Sequence, residues 1–189
     1  MISPNESSLS PTIAANFIWL IILALAGLGG SLIISCVTPF VALAVALAAT
    51  VRLTLALRAM AAIWLANQLV GFAFLHFPRT PNTFLWGLAI GAAALLSTLI
   101  ASAVLKHAPL RSTAARLGLA FALAYVVYEA SLFVVALMLG GSETFSPAII
   151  AQIGFVNAAW LAGLGALNEL LSAMCKPWFG AMPRFVKVS

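Results

Sequence analysis

The chain has 189 residues, of which nine are Lys or Arg, four are Asp or Glu, and 64% are hydrophobic. A soluble domain is about 45–50% apolar and about one-quarter charged, and a charge content of 7% does not cover a water-facing surface. This excludes an ordinary globular domain and a disordered chain, and cations this thinly spread exclude a nucleic-acid-binding surface. The sequence reads as an all-α, polytopic integral membrane bundle.

Residues 1–12 hold Glu6 and no cation, so they lack the positive n-region of a cleavable signal. They are expected to be a polar tail before an uncleaved helix. A single transmembrane domain is expected over 13–175, and a basic, aromatic tail on the cytoplasmic side over 176–189. The charge-free run 7–51 is 45 residues long. One span takes about 20 residues, so the run holds two helices, with the turn at Cys36-Val37-Thr38-Pro39. The predicted spans are 13–35, 39–57, 59–77, 84–105, 117–139 and 147–171, six in all. The count is five if 39–57 dips in without crossing. In the second span Arg52 must snorkel, and the turn into the third falls near Arg58. Gly140-Gly141-Ser142-Glu143 is a turn before the last span.

With six spans, Arg52, Arg58, Lys106, Arg111, Arg116, Lys176, Arg184 and Lys187 lie on one side and Arg79 alone on the other. The positive-inside rule makes the first side cytoplasmic, together with the C-terminus. The six-span reading places the N-terminus there too. Rows of small residues mark close helix packing. They are Ala42, Ala46 and Thr50 with Ala44 and Ala48 on span two, Gly87 and Gly91 on span four, and Gly154, Ala158, Ala162 and Ala166 on span six. Such rows pack a compact bundle, or one of them docks another membrane subunit.

Polar groups inside a membrane are costly and are therefore candidates for function. Glu129 lies near the middle of span five, four residues after Tyr125 and on the same face. It is either a ligand-contacting or proton-carrying carboxylate or a structural acid facing a neighbouring helix. Asn67 and Gln68 on span three either line a polar pocket or cross-link helices. Span six adds Gln152 near its outer end and Asn157 about two turns deeper. Between spans three and four, Arg79 is the lone outer cation, suited to a ligand carboxylate or phosphate. Trp86 either stacks on a ligand ring or belongs to the interfacial aromatic belt. The candidate ligand-binding residues are thus Asn67, Gln68, Arg79, Trp86, Glu129, Gln152 and Asn157.

His76 and His107 fall on opposite sides, as do Cys36 and Cys175, which argues against a bis-histidine haem and an intrachain disulfide. The sequence has no Walker motif, HExxH helix or GxSxG elbow. No cofactor, no catalytic residue and no metal site is expected, and the chain is read as a non-enzyme. The aromatic and basic tail suits a segment on the inner membrane surface.

The size, six-span count and cytoplasmic termini resemble the substrate-binding S components of energy-coupling-factor vitamin transporters. The likeness covers the whole chain as architecture. It implies residence in a bacterial cytoplasmic membrane and uptake of a vitamin-like small molecule bound near the outer face. It also implies a membrane coupling subunit with a separate ATPase, contacted through small residues such as the Ala42, Ala44, Ala46 and Ala48 rows. The alternative is a non-transporting structural membrane subunit, such as the similarly sized cell-shape protein of the cell-wall elongation complex. An intramembrane enzyme would need a second acid or base beside Glu129. A transporter would need Glu129, Asn67 and Asn157 to face one cavity.

Overall fold

The computed structural model describes residues 11–33, 38–179 and Phe185, with side chains for 15–29, 38–174 and Phe185. Glu6, Cys36, Arg184 and Lys187 lie outside the described residues. Among the described residues six α-helices follow in order: α1 (Pro11–Ile33), α2 (Phe40–Thr50), α3 (Leu53–Ala73), α4 (Pro81–His107), α5 (Thr113–Leu139) and α6 (Pro147–Phe179). The chain is all-α, and α3, α4, α5 and α6 are each long and apolar enough to cross a membrane. Large side chains such as Phe155, Met138 and Leu137 stand on its exterior, the surface expected of a bundle solvated by lipid tails.

The bundle is a ring around a core helix. α1 packs on α3, α3 on α4, α4 on α5, α5 on α6 and α6 on α1, while α2 touches all five. The sequence of α2, FVALAVALAAT, has no polar face, and a helix apolar all round is buried all round. Val41 to Leu47 are at most 1% exposed. Its alanines let the five outer helices approach. The Ala42, Ala44 and Ala46 rows are therefore consumed inside this chain and offer no docking face to another subunit.

The expected span 39–57 is corrected on this point. α2 has 11 residues, about 16 Å at 1.5 Å per residue, against a hydrocarbon core of about 30 Å. A helix with no lipid contact need not match the bilayer. The break falls at Val51-Arg52, where both residues are extended, and α3 starts at Leu53. Arg52 is thus an exposed junction residue and does not snorkel from within a helix, while Arg58 lies inside α3. At this end Trp19 donates through Nε1 to Thr50 Oγ1 at 3.0 Å, and Thr50 donates back to the Ala46 carbonyl.

The other boundaries follow local chemistry. Thr80 caps α4 by accepting from the Thr83 amide, with Pro81 in the first turn. Ser112 caps α5 in the same way. Arg116 donates to the carbonyls of Leu105 and Leu110 and so closes the end of α4. Gly140 and Gly141 turn the chain at φ +86° and +99°, values that side-chain-bearing residues rarely adopt. α6 extends to Phe179, so residues 176–179 of the expected tail continue the helix.

The two ends of the bundle differ. Leu53, Lys106 and His107 meet at one end, where Arg52 and Arg111 stand in the junctions and Arg116 in the first turn of α5. Thr38, Phe77, Thr83 and Trp86 meet toward the other.

Candidate functional site

At the end away from the basic cluster, a cavity of about 250 Å³ opens between the start of α2, the C-terminal half of α3, the N-terminal part of α4, and α5. Its walls carry Thr38, Asn67, Gln68, Thr83, Trp86 and Tyr128 with Phe40, Leu75, Phe77, Gly87 and Ile90. Among the described residues the lining contains no carboxylate and no cation. The cavity lies just below the usual range of about 300–1,000 Å³ for ligand pockets, and it shares their pattern of apolar and aromatic walls with a few polar groups.

Each polar group has a structural reason for its place. Asn67 Nδ2 donates to Thr38 Oγ1 at 2.7 Å, tying α3 to the segment that leads into α2. Gln68 rests against Gly87, where a Cβ would lie 2.6 Å from Oε1. One turn deeper, Trp64 crosses Gly91 and donates through Nε1 to the Gly87 carbonyl at 2.8 Å. The two glycines of α4 thus seat two side chains of α3 and let the helices close. Gln68 itself has no hydrogen bond to another described residue, and its amide offers one acceptor and two donors to the cavity. The N-terminus of α2 adjoins the same space, since Thr38 and Phe40 line it, and the positive end of a helix dipole favours an electron-rich group.

The loop between α3 and α4 covers the cavity. His76 turns the chain at φ +57°, and the Phe77 amide bonds the Gly71 carbonyl at 3.1 Å. The Phe77 ring then lies over Gly71, where a Cβ would come within 2.3 Å of it. Phe72 packs edge-on to Phe77 and stacks on Phe84 at 4.8 Å. Replacing Gly71 by alanine is expected to push Phe77 out of the cavity wall. In a chain with Cys36 and Cys175 changed to serine, Thr83→Cys should then react several-fold faster with a water-soluble maleimide, and an unchanged rate would contradict this role of Phe77.

The structure brings together three of the seven residues singled out from sequence, Asn67, Gln68 and Trp86. The other four lie elsewhere. Arg79 is exposed in the covering loop and Gln152 is exposed on α6. Asn157 is buried against α2, where its Oδ1 accepts the Ala42 amide at 3.2 Å and its Nδ2 donates to Ile153 at 3.0 Å. Glu129 is half-buried near Tyr125, whose hydroxyl donates to the Ile150 carbonyl. Glu129, Asn67 and Asn157 therefore do not share a cavity. Sequence reasoning missed Thr38, Thr83 and Tyr128. Tyr128 carried a signal, as a polar-tipped aromatic beside Glu129 within an apolar helix. Thr38 was seen only as part of a turn.

Among the described residues no group of three His, Cys, Asp or Glu side chains is arranged to hold a metal ion. Comparison with protein-family models, curated proteins and solved structures gives no match. The fold and cavity define a polytopic, all-α membrane protein with a small polar and aromatic pocket toward one end.

Proposed function

We propose that this protein is a substrate-binding component for uptake of a vitamin-like small molecule across a bacterial cytoplasmic membrane. The observation that carries the reading is the uncommitted Gln68 amide in a cavity walled by Trp86, Tyr128 and Phe77. Aromatic faces suit a planar ring, and an amide suits a ring edge bearing adjacent donors and acceptors, as in a lactam or carboxamide. An uncharged wall selects a neutral moiety, because a buried unpaired charge is costly. The positive-inside rule puts the basic end in the cytoplasm, with both chain ends, so the pocket faces outward. This pocket differs from the one the sequence suggested, since Glu129 and Asn157 take no part in it. A coupling subunit with its own ATPase remains the proposed energy source, docked on a surface other than the buried α2 rows.

The test is to purify the full chain in mild detergent and identify co-purifying small molecules by mass spectrometry. Gln68→Leu is expected to weaken binding of the identified compound about tenfold, the effect of one lost hydrogen bond of about 1–1.5 kcal/mol. Glu129→Gln, outside the cavity, is expected to leave binding unchanged. If no compound is retained and Gln68→Leu leaves vitamin uptake by cells intact, the uptake reading is to be abandoned.

A second reading, a structural membrane subunit, is favoured by a different observation. Asn157 is spent on contacts within the chain, and Glu129 stands outside the cavity. In addition, α5 and α6 diverge around a cleft of about 670 Å³ with Gly118, Ala158, Ala162 and Gly165 on its walls. Isolation of a stoichiometric membrane complex containing the chain without any small molecule would favour this reading.

A further inference from the structure

A second cavity, at the basic end, has a different chemistry. It measures about 560 Å³ and lies between the ends of α2 and α4 and the start of α3. Leu53, Leu99, Ile100 and Ala103 form its walls, and Lys106 and His107 stand at its rim in the last turn of α4. Both rim side chains are exposed, and neither forms an ion pair within the described residues. α3 begins here with no side-chain cap on its first turn, so its dipole adds positive potential to that of Lys106. Arg52, the residue before Leu53, adds a further cation. The walls are thus suited to hydrocarbon and the rim to an anion. Walls and rim adjoin along the length of α4, as the parts of a phospholipid do.

We propose that this cavity is a binding site for an anionic phospholipid, with an acyl chain against Leu99, Ile100 and Ala103 and the headgroup phosphate on Lys106 and His107. A basic pocket between helices, next to apolar surface, distinguishes anionic from zwitterionic lipid by charge while using the same contacts for the tail. The bound lipid would fasten the Val51-Arg52 break, the one place where the core helix meets the next through extended backbone. This proposal does not depend on the outward-facing pocket or its ligand.

The test uses the purified full chain in mixed micelles containing phosphatidylglycerol or phosphatidylcholine, with retained lipid counted by native mass spectrometry. Phosphatidylglycerol is expected to be retained and phosphatidylcholine lost. Lys106→Gln should weaken retention about fivefold, the effect of one cation near a membrane surface. Ala103→Phe, which fills the groove and leaves the charges, should weaken it as well. Arg79→Gln, at the opposite end, should not. Melting curves without added lipid check that each variant is folded. Equal retention of the two lipids overturns the proposal, as does unchanged retention in a folded Lys106→Gln protein. Displacement of the lipid by millimolar inorganic phosphate, or full retention by Ala103→Phe, also overturns it, because the groove would then play no part.

Discussion

Asn157→Leu is expected to destabilise the detergent-solubilised protein by about 1–3 kcal/mol, the cost of a buried amide donor left without an acceptor. The donor is the Ala42 amide in the first turn of α2, and the acceptor comes from α6, 115 residues away. α2 begins after Pro39, which caps it with no side-chain hydrogen bond. The Phe40 amide is satisfied locally by the Thr38 carbonyl, but the Ala42 amide depends on a partner from elsewhere, and water does not reach it in this core. Asn157→Asp keeps the acceptor oxygen but loses the donor to the Ile153 carbonyl and adds an unpaired charge at a buried site, so it should be no more stable than leucine. Thermal unfolding followed by tryptophan fluorescence ranks the three proteins. Hydrogen exchange at Ala42 and its neighbours, fast in the leucine variant and slow in the parent, locates the effect. If leucine proves as stable as asparagine, Asn157 is not needed to hold the core helix.

Gly91→Ala is expected to cost about 2–4 kcal/mol. An added Cβ would lie 2.5 Å from the Trp64 ring, a distance that forces the ring or the helix to move. Overpacking of this kind costs about 1–3 kcal/mol. If Trp64 swings away it also gives up its bond to the Gly87 carbonyl, a further loss of about 1 kcal/mol. The matched control is Gly118→Ala. That glycine has nothing within 4 Å of an added Cβ, so alanine should raise stability slightly through helix propensity, by up to about 1 kcal/mol. Opposite signs for the same substitution on neighbouring helices would show that the space around each glycine decides the outcome. Because Gly87 and Gln68 lie one turn from this contact, the Gly91 variant should also weaken the binding proposed for the Gln68 pocket.

Both results bear on how the bundle is assembled. The five outer helices could each be packed by general hydrophobic matching, since their lipid-facing surfaces tolerate many side chains. The core helix has no such freedom. It is held at its start by Asn67 through Thr38 and by Asn157, and at its end by Trp19 through Thr50. Polar side chains that looked like candidate chemistry are thus partly the means by which a short helix is fixed in an apolar interior.

Much of the architecture is written in the sequence as charge and hydropathy. The runs ended by Arg79, Lys106 and Arg116 place α4 and α5 within a few residues of their observed bounds, and Gly140-Gly141 marks the turn before α6. The pairing of small residues on α4 with large ones on α3 is foreshadowed by Gly87 and Gly91. Three pocket residues, Asn67, Gln68 and Trp86, are visible because polar or amphipathic groups within apolar helices stand out. Tertiary structure alone decided the rest. Whether an apolar helix meets lipid or protein depends on what surrounds it. A length rule tuned to lipid therefore gave α2 a full span, while its position at the centre freed it from the bilayer's thickness. Whether an asparagine lines a cavity or caps a distant helix depends equally on its neighbours. Asn67 and Asn157 are alike in sequence context, and packing placed one at the wall of the pocket and the other in the solid core.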